Sequence, residues 1–190
     1  MHALRRIMRM VVSPSAEWGL IAREKTTVDS LIGRYVVPLS LLAPIASMIG
    51  MAVFNTSWSD GHGYRVPAQD ILAAGATTLF ASILSVPVLA GIFVLIAPMY
   101  GSSRDYGDAL KVATFGTVPV MLAGATLFIP VMAMIGLVAL VHSLFLYWQG
   151  ARLILNVVPG QEAEFVGISM VLLCIVSIVA GAAASGAGLI

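Results

Sequence analysis

Charge is scarce in this chain: ten Lys and Arg and nine Asp and Glu among 190 residues make 10% of the sequence, against roughly a quarter in a soluble globule. So few charges cannot cover a water-exposed surface, which excludes a soluble globular domain, and the mean hydropathy of +0.99 points to a membrane protein. Cysteine is scarcer still. Cys174 stands alone inside an apolar run, which excludes an intramolecular disulfide and any Cys-based metal cluster. Catalytic signatures are missing as well: there is no H-E-x-x-H, no phosphate-binding loop, no Gly-x-Ser-x-Gly and no pair of aspartates within an apolar run. No loop is long enough to form a soluble catalytic domain. The chain is therefore read as not an enzyme, with no catalytic residues, no metal, no cofactor and no nucleic-acid partner expected. A cleavable leader is not expected either, because Arg5, Arg6 and Arg9 lead only into "IMRMVV" before Ser13, Pro14 and Glu17 interrupt.

What is abundant is uncharged length. A helix needs about 20 apolar residues to cross roughly 30 Å of hydrocarbon. Residues 35–54 meet that requirement, and 71–100 exceed it, so the second run must tilt, kink or protrude. The run 112–149 is too long for one crossing and suits two, with "AGATLFIP" at 123–130 as the reversal and Pro130 fitted to the first turn of the next helix. A last run covers 165–190. The expected fold class is all-α, a polytopic membrane helix bundle with five transmembrane helices at about 35–54, 70–100, 109–125, 129–149 and 164–188. A cytoplasmic N-terminal segment, 1–34, precedes them. Counted this way, Arg5, Arg6, Arg9, Arg23, Lys25, Arg34, Arg104, Lys111 and Arg152 fall on one side and only Arg65 on the other. The positive-inside rule then predicts a cytoplasmic N-terminus and an outside C-terminus.

The most polar stretch, "SPSAEWGLIAREKTT" at 13–27, predicts a helix that Ser13 caps and Pro14 starts, with Glu17 in its first turn. Trp18, Leu20, Ile21, Val28, Leu31, Ile32 and Tyr35 share one side of the wheel, opposite Arg23, Thr26, Thr27, Ser30 and Arg34. Such an amphipathic helix lies along the cytoplasmic interface with Trp18 at headgroup depth. It either anchors the first span or presents a docking surface, for which Trp18, Arg23, Glu24, Asp105 and Asp108 are the candidate partner- or lipid-binding residues. In the loop "GSSRDYGDALK", Asp108 is the expected helix cap, and Asp105 is free to pair with Arg104 or a neighbouring loop. The two carboxylates are too few for a hard-cation site. Glu162 and Glu164 read as acids at a helix start.

The loop at 55–70 carries turn chemistry at Asp60, Gly61 and Gly63, interfacial aromatics in Trp58 and Tyr64, and a helix start at Pro67 to Asp70. Asp60 with His62 is too small a ligand set for a metal. "N-T-S" at 55–57 is a short match to the glycosylation pattern. His142 is read as the one ionisable side chain, apart from Cys174, well inside an expected span, and such residues are functional candidates unless a facing hydroxyl or carbonyl satisfies the imidazole. With Thr117, Ser85 and the prolines Pro38, Pro44, Pro87, Pro98, Pro119 and Pro130, it supports an alternative reading as a small-solute or ion transporter or channel. Each proline taken singly is also explained as a packing kink. "SVPVLAG" at 85–91 resembles "TVPVMLAG" at 117–124, a match short enough for chance. Gly181, Ala184, Ser185 and Gly188 give small-x-x-x-small spacing suited to close helix approach, within the chain or by self-association through the fifth span.

Three stretches together, "VVSPSAEWGLIARE", "RYVVPLSLLAPIASMIG" and "YGDALKVATFGTVPVMLAG", resemble the bacterial branch of the Yip family of membrane proteins. The resemblance covers nearly the whole chain and rests on Pro14, Trp18 and Glu24, on Pro38 and Leu39, and on Thr117 to Pro119. It implies a multi-pass protein of the bacterial inner membrane. Eukaryotic relatives are Golgi and endoplasmic-reticulum proteins associated with Rab-type GTPases through a long cytoplasmic N-terminal region. Here that region is confined to residues 1–34, so GTPase binding is not carried over. The resulting expectation is a non-enzymatic protein whose cytoplasmic face binds membrane lipids or a cytoplasmic protein.

Overall fold

The first long helix starts at Val28, not at residue 35 where the charges end. Thr27 sets this boundary, since its hydroxyl accepts from the Ser30 amide at 3.4 Å and Asp29 occupies the first turn. In the computed structural model, which describes residues 2–54, 66–102, 104–129 and 132–186, ten α-helices follow one another with no strand among the described residues. They are α1 (His2–Val12), α2 (Pro14–Arg23), α3 (Val28–Leu31), α4 (Val37–Ser40), α5 (Leu42–Phe54), α6 (Ala68–Ile96), α7 (Tyr106–Gly116), α8 (Val118–Gly124), α9 (Ala133–Leu153) and α10 (Glu162–Gly186). A π-helical turn at Ile32–Val36 joins α3 to α4, just before Pro38, whose ring nitrogen has no hydrogen to give to the ladder. A 3₁₀ turn, Ala97–Tyr100, extends α6.

Four helical stretches are long and apolar enough to cross a membrane: Val28–Val53, Ala68–Tyr100, Met134–Leu153 and Glu162–Ala184. The segment expected as a single span at 109–125 is instead the pair α7 and α8. Thr117 separates them, two residues before Pro119, where a continuous helix would lose a backbone hydrogen bond and set the proline ring against the carbonyl of Phe115. The Thr117 hydroxyl adds a bond at the break, donating to the Ala113 carbonyl at 2.6 Å, and it lies 2.6 Å from the Tyr147 hydroxyl on α9. The expected reversal appears as turns over 125–129. Pro130 lies outside the described residues, as do Gly188 and the stretch 55–65 that carries Asp60, His62 and the glycosylation-like tripeptide.

The broken segment is the most enclosed part of the molecule. Ala109, Leu110, Val112 and Ala113 have no exposed surface, and α6, α9 and α3 pack around them. A segment walled by protein needs no lipid-facing apolar length, which is why α7 and α8 can be short. Core residues concentrate at the end of the bundle that carries α1 and α2: Leu89 and Phe93 of α6, Leu146 and Tyr147 of α9, Phe165 and Val166 of α10. Toward the other end Phe80, Leu84, Val138, Val141, Ile178 and Val179 are exposed, a distribution that costs nothing where lipid is the solvent. Gly181, on that part of α10, has open space where a side chain would project among the described residues.

Close approach at the core depends on Gly116. A Cβ there would run into the Tyr147 ring. Gly116→Ala is expected to displace Tyr147, break its contact with Thr117 and cost about 1–3 kcal/mol by overpacking. Thermal unfolding in a fixed detergent reads this, and a midpoint equal to wild type would show that the ring moves freely.

Candidate functional site

Segment 1–34 is not one amphipathic helix but two short ones plus the start of the first span. Alpha-helix α1 turns Ile7 and Met10 inward, with exposures of 6% and 0%. Its outer side carries two parallel rows at i, i+4 spacing: Arg5 with Arg9, and Leu4, Met8 and Val12. After the break at Ser13, α2 begins at Pro14 as expected, but the Ser13 side chain makes no capping bond. Glu17, in the first turn, is buried and turned toward α1.

Arg6 fastens the two helices. Its Nε lies 3.0 Å from Oε1 of Glu17 and its Nη1 2.7 Å from Oε2 of Glu24. Partial burial pulls its pKa down, but the neighbouring Tyr35 hydroxyl and the carboxylates of Glu24 and Glu17 outweigh that effect, leaving it above the ordinary arginine value. Arg6 is thus a permanent cation used for structure.

Trp18 corrects an expectation. Expected at headgroup depth, it is fully buried, edge-on to Phe115 with ring centroids 6.4 Å apart, and it lies over Gly150, where a Cβ would come within 3.0 Å of the indole. The amphipathic pattern is the same whether the apolar side meets lipid or protein, and here it meets α7 and α9. Gln149 on α9 adds a side-chain bond to Ser15 at 3.2 Å.

Between α1, α2 and the π-helical turn a cleft of about 400 Å³ remains open, lined by Arg5, Arg6, Arg9, Glu17, Leu20, Glu24, Arg34 and Tyr35. Four guanidinium groups face two carboxylates, and both carboxylates are engaged with Arg6. Arg5, Arg9 and Arg34 have no acidic partner among the described residues and are exposed. Four guanidinium groups against two carboxylates leave the cleft with unmatched positive charge, so it is suited to holding an anion.

The other sequence candidates lie elsewhere. Arg23 is exposed at the end of α2. Asp105 and Asp108 exchange their expected roles: Asp105 caps α7, accepting from the Asp108 amide at 2.8 Å, while Asp108 pairs with Lys111 at 2.9 Å. Helix α7 starts one turn earlier than hydropathy suggested, which makes the first aspartate the cap. The ends of two segments are joined by bonds from the Ser102 hydroxyl to the Leu155 carbonyl (2.9 Å) and from the Val158 amide to the Tyr100 carbonyl (3.2 Å). Glu162 accepts from the Gly160 amide at 2.8 Å, and Glu164 from the Tyr100 hydroxyl at 3.1 Å.

Ser85, Thr117 and His142 stand on separate elements. Ser85 donates to the Ser82 carbonyl of its own helix, and Thr117 serves the α7–α8 break. His142 lies near Phe145, and its Nε2 is buried without a partner among the described residues. No group of three or more metal-ligating side chains occurs among the described residues.

Sequence reasoning missed α1 and the convergence of Arg5, Arg9 and Arg34. The signal was present in "HALRRIMRMVV", whose Arg5 and Arg9 share one helical row while Ile7 and Met10 share another. A family model described as the Yip1 domain matches residues 8–181. No curated protein and no solved structure was found to match the chain.

Proposed function

We propose, from the premise that this chain belongs to the Yip1 domain family, that it is a non-enzymatic protein of a bacterial inner membrane whose N-terminal face docks a partner on the cytoplasmic side. That it is a multi-pass membrane protein follows from the family and from its four long apolar helices. The observation that carries the docking reading is the open cleft at α1 and α2, where three arginines stand unpaired beside an exposed apolar row.

The orientation rests on charge and on α7–α8. This pair covers residues 106–124, about 28 Å at helical rise, and the turn that follows it lies against α5, with the Phe128 carbonyl 2.9 Å from where a Cβ of Gly50 would stand. Read as a fifth crossing, it puts the cationic end in the cytoplasm and the C-terminus outside. Reporter tags on the two ends in opposite compartments are the expected result; both ends in one compartment would remove the fifth crossing.

The docking reading is tested by photo-crosslinking in native membranes from the exposed positions Met8, Leu20 and Arg104. A discrete adduct, protein or lipid, is expected from Met8 and Leu20, whereas a smear of neighbours with no dominant species counts against it. Transport has narrower support, in the buried Nε2 of half-buried His142, which has no partner among the described residues. Liposome flux unaltered by His142→Ala would dispose of that reading.

A further inference from the structure

We infer that the cleft seats the phosphate of an anionic lipid headgroup. This rests on the docking reading above and names the ligand class. Arginine presents a planar fork of donors that matches phosphate oxygens two at a time. Three such forks, Arg5, Arg9 and Arg34, open onto one concavity from two separate elements, while Arg6 is withdrawn by Glu17 and Glu24. Those two carboxylates therefore hold α1 in place and leave the other cations available. A volume of about 400 Å³ accommodates a phosphodiester with its polar substituent.

The lipid, as the source of that phosphate, is indicated by what borders the cleft. Leu4, Met8 and Val12 form a continuous apolar row on α1 with exposures of 71%, 62% and 75%. They adjoin Arg5 and Arg9 on the same helix, the arrangement by which an interfacial helix sinks apolar side chains below the headgroups while its guanidinium groups stay at phosphate level. Arg34 belongs to the helix that becomes the first span, Val28–Val53. The floor of the cleft is thus the point where the chain enters the bilayer. A soluble phosphate would need the arginines but not the row.

The full-length protein, exchanged into equimolar phosphatidylglycerol and phosphatidylcholine and analysed by native mass spectrometry, is expected to retain the anionic lipid at least tenfold over the zwitterionic one. Arg5→Gln/Arg9→Gln/Arg34→Gln should bring the ratio near parity, and Leu4→Ser/Met8→Ser/Val12→Ser should lower retention of both lipids. Arg5→Lys/Arg9→Lys/Arg34→Lys keeps the charge without the fork and should fall between. Unfolding midpoints identify any variant that fails to fold, and single Arg34→Gln then replaces it, with a several-fold loss expected. No preference in the wild type, or a preference unchanged without the arginines, overturns the inference. So does displacement of the lipid by millimolar inorganic phosphate, which would assign the cleft to a soluble anion. A discrete protein adduct from Met8 with no lipid preference would sink this inference while leaving the docking reading intact; loss of both signals would sink both.

Discussion

Trp18→Ala is expected to destabilise the N-terminal face by about 3–5 kcal/mol, the range for emptying a large aromatic site in a packed core. The indole is fully buried, contacts Phe115 edge-on and fills the space that Gly150 leaves open. Neighbours cannot close the resulting cavity, because Phe115 is itself fixed against Tyr35 with ring centroids 5.0 Å apart. The damage should remain local. The long spans are held by lipid and by each other, whereas α2 meets α9 through Trp18, which lies against Gly150, and through the Ser15–Gln149 bond. Proteolysis between Arg23 and Lys25 should accelerate by two orders of magnitude or more, since each 1.4 kcal/mol is about a factor of ten in the open population. Trp18→Phe, which keeps most of the volume, should lose far less. Equal cleavage rates for wild type and Trp18→Ala would show that α2 is not held through this residue.

The second large effect belongs to the ion pair in α7. Lys111 has a side chain only 9% exposed and is paired with Asp108, whose side chain is 35% exposed. Asp108→Ala leaves a nearly buried ammonium group without its carboxylate and should cost about 3 kcal/mol, toward the low end for breaking a buried pair because Asp108 is partly solvated. The Asp105 cap survives this change, so loss of the cap is not the cause. Lys111→Met removes the charge together with its desolvation cost and should be neutral or stabilising. The double variant should recover most of what Asp108→Ala loses. Unfolding midpoints in one detergent form the double-mutant cycle, and additive losses would show that the two side chains are not coupled.

Legibility in the sequence varied with the kind of property. The membrane class and the long spans were readable because lipid imposes a length of apolar sequence, which is one-dimensional. Residues 109–125 were readable as apolar but not as broken, since an apolar run walled in by other helices has the same composition as one facing lipid. Only Pro119 hinted at the break, and prolines elsewhere are absorbed without one, as Pro87 is inside α6. Trp18 followed the same logic: an amphipathic period shows that one side is apolar, not what covers it. Asp105 and Asp108, one turn apart, were equally suited to capping, and the choice fell to the register in which α7 begins.

By itself the sequence determined that this is a membrane protein with long apolar helices, and that six of its ten Lys and Arg precede the uncharged run at residues 35–54, because hydropathy and charge act position by position along the chain. Only the tertiary structure decided that α7 and α8 occupy the centre, that Trp18 points inward, and that Arg5, Arg9 and Arg34 open onto one cleft while Arg6 is taken by Glu17 and Glu24. Those outcomes depend on which helices meet, and contacts between residues distant in sequence leave no periodic trace in either partner alone.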